Sequence, residues 1–198
     1  MARRVFFSFH YGRDVQRAHV VRNSWVTKPD REEAGFFDSS VFEATKRDGE
    51  AALKRFLDEG LKGSSVTAVL YGAETVRRRW VRYELLRSFL EGKGIFAVAI
   101  AGIPGWDKRG DIQGANPLAY LGYEVSGGVL RLKEYAVQGK WIWCPDFPAV
   151  TVSSVPWRVV EGENRTFDQW FSAYDWVRHN GYANLGSWAE AAAKSAGR

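Results

Sequence analysis

Three short apolar runs, at residues 5–9, 66–71 and 95–101, constrain the fold of this 198-residue chain more than any other feature. Each is nearly continuous rather than alternating. That is the pattern of a strand buried on both faces, and such strands belong to parallel sheets covered by helices. The segments between them carry helical spacing. Residues 13–24 follow the first run, with Asp14 placed to favour a helix N-terminus. Residues 48–61 put Ala52, Leu53, Phe56, Leu57 and Leu61 at helical intervals, and residues 75–90 run up to Gly92 and Gly94, which end a helix. Strand and helix in alternation predict an α/β fold, an open and mainly parallel sheet with helices on both faces. Residues 34–38 fit either a short strand or a loop.

Beyond residue 101, Pro104, Gly105, Gly110, Gly114, Pro117, Gly122, Gly127 and Gly128 interrupt the chain too often for long helices. Residues 129–135 and 140–144 predict a hairpin, turning near Gly139, on one flank of the sheet. Thr166 with Gln169, and Ser187 with Glu190, each match a capping box, which predicts two closing helices, the first stopping near Gly181. Seven of the nine tryptophans lie beyond residue 100 and predict a compact, aromatic-packed C-terminal part. No repeat, low-complexity tract or linker divides the chain. Residues 1–198 are expected to form a single domain, with a core over about 1–103 and an elaboration over about 104–198.

The single cysteine, Cys144, cannot form an internal disulfide or a four-ligand zinc site, and its setting is a reducing cytoplasm. No apolar run approaches the roughly 18 residues of a membrane span, and the N-terminal run is too interrupted for a secretory signal. The net charge of +5 is uneven. Residues 1–93 hold 18 Lys and Arg against 13 Asp and Glu, whereas residues 94–198 hold 10 of each. No recognised nucleic-acid-binding motif accompanies that charge. The chain also lacks a P-loop, G-x-G-x-x-G and the G-x-S-x-G elbow of Ser-His-Asp hydrolases. With only His10, His19 and His179, it shows no cluster at metal-ligand spacing.

Chemistry concentrates in two places. The first strand ends in Ser8, Phe9, His10, Tyr11, Gly12, Arg13 and Asp14, at the carboxyl edge where open α/β sheets bind ligands. In the helix over 75–90, Trp80 and Glu84 are four apart and share a face. A carboxylate beside a Trp is poorly solvated and has a raised pKa; it can stabilise an oxocarbenium-like sugar cation or hold ribose hydroxyls. The other reading of Glu84 is an ion pair with Arg77, Arg87 or another arginine on this helix, and spacing alone favours it, because W-x-x-x-E is short and common. Arg77, Arg78 and Arg79 either bind a pyrophosphate or form a solvated helix face; pointing in three directions, only one of them can reach a given ligand.

Taken together, VFFSFHYGRD with HVVRNSW, SSVTAVLYGAETVRRRWVRYELLRSF and the closing YDWVRHNGYANLGSWAEAAAKSAGR resemble the TIR-like domain of bacterial Thoeris anti-phage systems, the family of the Thoeris B subunit. The likeness covers most of the chain and is least distinctive over 102–155. The resemblance implies a flavodoxin-like TIR fold that cleaves the nicotinamide-ribose bond of NAD+. Its product would be a cyclic or otherwise modified ADP-ribose signal that activates a separate effector protein after phage infection. It also implies that Glu84 is the essential glutamate with Trp80 beside it, which reverses the preference for an ion pair. Phe6, Ser8 and Phe9 match positions lining the nucleotide site, Asp14, Arg22 and Asn23 match polar positions nearby, and Asn116 is a further binding position. Gly35 and Asp38, in GFFDSS, stand where TIR domains place a mobile loop.

These implications make NAD+ the substrate, with no separate cofactor and no metal. The expected partners are NAD+, the effector reached through the diffusible signal and a phage-derived trigger, with no nucleic acid and no membrane; the chain could also form a homo-oligomer. Whether a ring atom of the same nucleotide, water or a second small molecule accepts the ADP-ribose is not legible in sequence. Two other readings compete: a TIR-like scaffold or adaptor without catalysis, and a nucleoside-type glycosyl transferase on a related α/β fold.

Overall fold

The computed structural model describes residues 3–28, 31–34, 39–136 and 139–198, with the backbone alone at 31–34 and 39–40. The apolar runs form strands β1 (Arg3–Phe9), β3 (Val66–Tyr71) and β4 (Gly94–Ala99). Together with β2 (Arg31–Ala34) and β10 (Ala173–Asp175) they make a fully parallel sheet in the order β10-β4-β3-β1-β2. This is the flavodoxin-like order, and its topological switch point falls between β1 and β3. Every residue of β3 and β4 is buried, which explains why their runs are continuous.

Helix α1 (Val15–Val26) packs beside α5 (Gly181–Ser195) on one face, and α3 (Glu50–Leu61) packs beside α4 (Arg79–Leu90) on the other. Alternation along β1 follows from this. Phe7 meets Trp25 of α1 edge-on at 6.3 Å, whereas Phe6 packs on Leu61 of α3 and Ser8 faces α4. Gly94 opens β4 where α5 crosses it, and a Cβ there would lie 2.4 Å from the Ala192 carbonyl oxygen. Gly94→Ala is therefore expected to cost about 1–3 kcal/mol, read as a lower urea midpoint. An unchanged midpoint would show that α5 is not seated on β4.

Several expectations are corrected. The helix predicted over 48–61 is preceded by an unforeseen α2 (Ser39–Arg47), and Gly49, at φ 102°, makes the corner between α2 and α3. Residues 75–90 are not one helix: a single 3-10 turn, Thr75–Arg77, is followed by extended Arg78 and then α4. Of residues 34–38, Ala34 ends β2 and the rest lie outside the described residues.

The hairpin is part of a second, antiparallel sheet of its own rather than a flank of the first. Strands β5 (Leu121–Ser126), β6 (Val129–Tyr135), β7 (Trp141–Trp143) and β9 (Asn164–Thr166) run in the order β7-β6-β5-β9, with β8 (Val150–Thr151) on β6. The unpredicted β5–β6 turn is Gly127–Gly128, both at positive φ, as a two-residue hairpin turn requires.

Only one helix closes the chain. The Thr166–Gln169 capping box is formed, but it caps a single 3-10 turn, because Trp170 and Phe171 turn into an aromatic cluster and the chain re-enters the first sheet as β10. Ser187 and Glu190 sit inside α5. Ser187 Oγ donates to the Asn184 carbonyl, and Glu190 takes a two-pronged bond from Arg3. The expected aromatic packing is partial: Trp157, Trp176 and Trp188 are buried, but Trp106 is 88% exposed and Trp141 and Trp143 are also exposed.

Candidate active site

At the carboxyl edge of β1 the chain passes Ser8, Phe9, His10 and Tyr11 opposite the first turns of α4. Glu84, in the second turn of α4, is 1% exposed. Ser8 donates its hydroxyl proton to Glu84 Oε2, while Oε1 is buried with no partner among the described residues. Burial pushes the Glu84 carboxyl up to about 8, and the Ser8 bond opposes this by favouring the charged form. The ion-pair reading of Glu84 is overturned. Arg87 binds Glu91 at 2.8 Å and Asp58 at 3.4 Å, and Arg77 is solvent-exposed with no ion pair to Glu84.

A cavity of about 320 Å³ adjoins this carboxyl, lined by Phe9, Tyr11 and Phe42, by Trp80 with Glu84, and by Arg77, Arg78 and Arg79. Tyr11 stacks on Phe42 of α2 at 4.5 Å and touches Phe9 at the same centroid distance. Its hydroxyl is buried without a partner among the described residues, and burial, reinforced by the Glu84 charge, raises its pKa. His10 also lines the cavity, where burial and then the Arg78 cation lower its pKa and favour the neutral ring. The cavity thus joins flat apolar walls, an arginine rim and one carboxyl short of a partner, an arrangement suited to a nucleotide whose reacting carbon gains positive charge. Among the described residues no group of His, Cys, Asp and Glu is arranged to hold a metal ion.

Comparison with known proteins decides the family. Residues 6–103 match a family model described as "Thoeris protein ThsB, TIR-like domain". A Bacillus cereus (strain MSX-D12) protein named "Putative cyclic ADP-D-ribose synthase ThsB1" is 42% identical over 193 residues, spanning 95% of this chain and 99% of that protein. The chain belongs to the Thoeris ThsB family. The alignment with this relative extends well beyond residue 103, so the second sheet, β10 and α5 lie largely within the shared length of this ThsB-family fold.

Of the ThsB-type site residues expected from sequence, Phe9, Trp80 and Glu84 line the cavity and Ser8 reaches it through Glu84. The others are placed elsewhere. Phe6 is buried against α3. Asp14 stands at the N-cap of α1 but makes no side-chain bond to it; it accepts from Thr75 Oγ1 at 2.6 Å, and Thr75 accepts from the Gly72 amide. It therefore secures the β3–α4 connection. Burial raises its pKa despite the Thr75 bond. Arg22 and Asn23 lie along α1 outside the cavity lining, and Asn116 caps the 3-10 turn Pro117–Tyr120 through the Leu118 amide. Gly35 and Asp38 lie outside the described residues.

Sequence reasoning missed Phe42 and Lys46, because α2 was not foreseen, and assigned no role to Tyr11. The aromatic at the strand end was a signal for Tyr11. Ser8→Ala removes the bond that favours the charged form, so it is expected to raise the Glu84 pKa above its present value. A carboxyl carbon NMR titration checks this, and an unmoved midpoint would show that the bond does not act on Glu84.

Proposed function

We propose that this ThsB-family chain cleaves the bond between nicotinamide and ribose in NAD+ and closes the remaining ADP-ribose into a cyclic product. The observation that carries this is Glu84, a buried carboxyl with one oxygen held by Ser8 and the other unpartnered among the described residues, beside an arginine-rimmed aromatic cavity. The name of the Bacillus cereus relative, a cyclic ADP-D-ribose synthase, supports the same reaction.

In that reaction the carbon–nitrogen bond breaks with its electron pair leaving on nicotinamide, which departs neutral, and the sugar carbon is left with oxocarbenium character. The step calls for an anion at that carbon more than for a strong acid. Glu84 supplies the anion. Its charge is costly while the site is empty, but the cationic nicotinamide ring provides the missing partner and favours ionisation once bound. Because Glu84 is almost fully buried, its neighbours must part for the sugar to reach it. Phe9, Tyr11, Phe42 and Trp80 offer surfaces for flat rings and exclude water, which favours an acceptor within the same nucleotide, whose lone pair forms the new bond to the sugar carbon in place of nicotinamide while one proton is released to solvent.

NAD+ is then the substrate and no separate cofactor is required. The diffusible product would act on a separate effector in anti-phage defence, with a phage-derived trigger switching the enzyme on in the cytoplasm. Among the described residues, no helix is long and apolar enough to cross a membrane. The test follows NAD+-derived metabolites in infected cells carrying the wild-type chain or Glu84→Gln. Equal production of the same ADP-ribose species by both would overturn the assignment.

A further inference from the structure

We propose that Arg78 grips the pyrophosphate of the bound nucleotide, and that Asp111, from the loop after β4, aims it through Arg13 and Glu74. The inference rests on the nucleotide reading above and assigns which of three consecutive arginines meets the phosphates.

All three line the cavity, but they are committed differently. Arg79 is bound to Glu50 and Asp146 through four hydrogen bonds of 2.7–3.3 Å, tying α4 to α3 and to the segment after β7. Arg77 is exposed on the 3-10 turn, where solvent screens its charge. Arg78 sits on the extended link between turn and helix. Of its side-chain nitrogens, only Nη2 donates among the described residues, to Glu74, and Nε is buried without an acceptor. Its planar fork keeps donors to spare, the geometry that binds two phosphate oxygens at once.

Glu74 does not neutralise Arg78 alone, because it also accepts from Arg13 Nη1 at 3.0 Å. Arg13 in turn gives Nε and Nη2 to the two oxygens of Asp111, both at 2.8 Å. Asp111 is fixed by its bond to the Ile112 amide at 2.7 Å and by Arg17 at 3.8 Å. The result is a chain of alternating charge from the 104–114 loop to the cavity wall. Asp111 is thus a positioning residue that lies outside the matched TIR-like segment 6–103.

The test titrates ADP-ribose, which carries the pyrophosphate, into the full chain and its variants by calorimetry, each variant checked for an unchanged melting profile. Arg78→Ala is expected to weaken binding by about tenfold or more, with Arg78→Lys between it and the wild type, and Arg77→Ala within about twofold. Asp111→Asn is expected to weaken binding about threefold in the wild type but to add nothing in the Arg78→Ala background, and Asp111→Glu should restore most of it. A merely structural Asp111 would cost the same in both backgrounds. Arg78→Ala binding like the wild type, or Asp111→Asn adding its full effect to Arg78→Ala, overturns the proposal. If the wild-type chain takes up no ADP-ribose even when purified from infected cells, where the trigger is present, the nucleotide reading falls, a result distinct from either.

Discussion

Glu84→Gln is expected to slow NAD+ cleavage severely while leaving a better-folded protein. Losing the one anion at the reacting carbon should lower the rate roughly a hundred- to a thousandfold, the scale on which removal of a preorganised electrostatic group acts. Stability should move the other way. The folded Glu84 carboxyl titrates at about 8, well above roughly 4.3 for a free glutamate. Between those values the folded chain holds a proton that the unfolded chain has released, so stability falls as pH rises through the window, by up to about 1.4 kcal/mol per pH unit. Glutamine keeps the shape and has no proton to lose. The difference between wild-type and variant urea curves, measured at pH 5 and pH 8, isolates this group from Asp14, Glu50 and Asp111, which titrate in both. A variant with the wild-type pH slope would sink the account of Glu84 as a buried acid, whatever happened to activity.

Phe89→Ala is the largest stability loss expected, about 3–5 kcal/mol, a large share of the roughly 5–15 kcal/mol that holds a domain together. Phe89 is fully buried on α4. Its ring stacks on Phe167 at 4.8 Å, Tyr123 at 5.4 Å and Trp157 at 5.5 Å, with Trp170 and Phe171 edge-on. These partners come from the second sheet and the segments around it, so this one side chain joins the α/β layers to the rest. The same substitution tests the proposal that 1–198 is one cooperative unit. Tryptophan fluorescence and far-ultraviolet circular dichroism should fall together, at a lower midpoint. Separate transitions would mean that the second sheet folds on its own.

Much of the parallel sheet was legible because burial on both faces writes itself as an unbroken apolar run, and β1, β3 and β4 lie where those runs are. Strand β10 was not. Its three residues, Ala173, Tyr174 and Asp175, carry no run; they are strand because β4 offers an open edge to them. Helix α2 was hidden for a similar reason: Phe42 is its lone apolar residue in the core and becomes meaningful only when it stacks on Tyr11. The capping box at Thr166 was read correctly as local chemistry, yet local chemistry set one turn and the Phe89 cluster decided what followed.

At the candidate site, the pairing of Trp80 with Glu84 was visible from helical spacing and the resemblance gave it a role. Spacing could not tell an ion pair from a buried acid, since that depends on which arginines are occupied elsewhere, and Arg87 is held by Glu91 and Asp58. Sequence by itself determined the α/β class, the family likeness and the helix that carries Glu84, because hydrophobic periodicity and motif spacing are properties of neighbouring residues. Tertiary structure alone decided that Ser8 meets Glu84 across 76 residues, that Asp14 braces a loop, and that Arg78 lines the cavity with a buried Nε that has no acceptor among the described residues. Hydrogen bonds and desolvation depend on distances between atoms remote in the chain, and those exist only once the layers have packed.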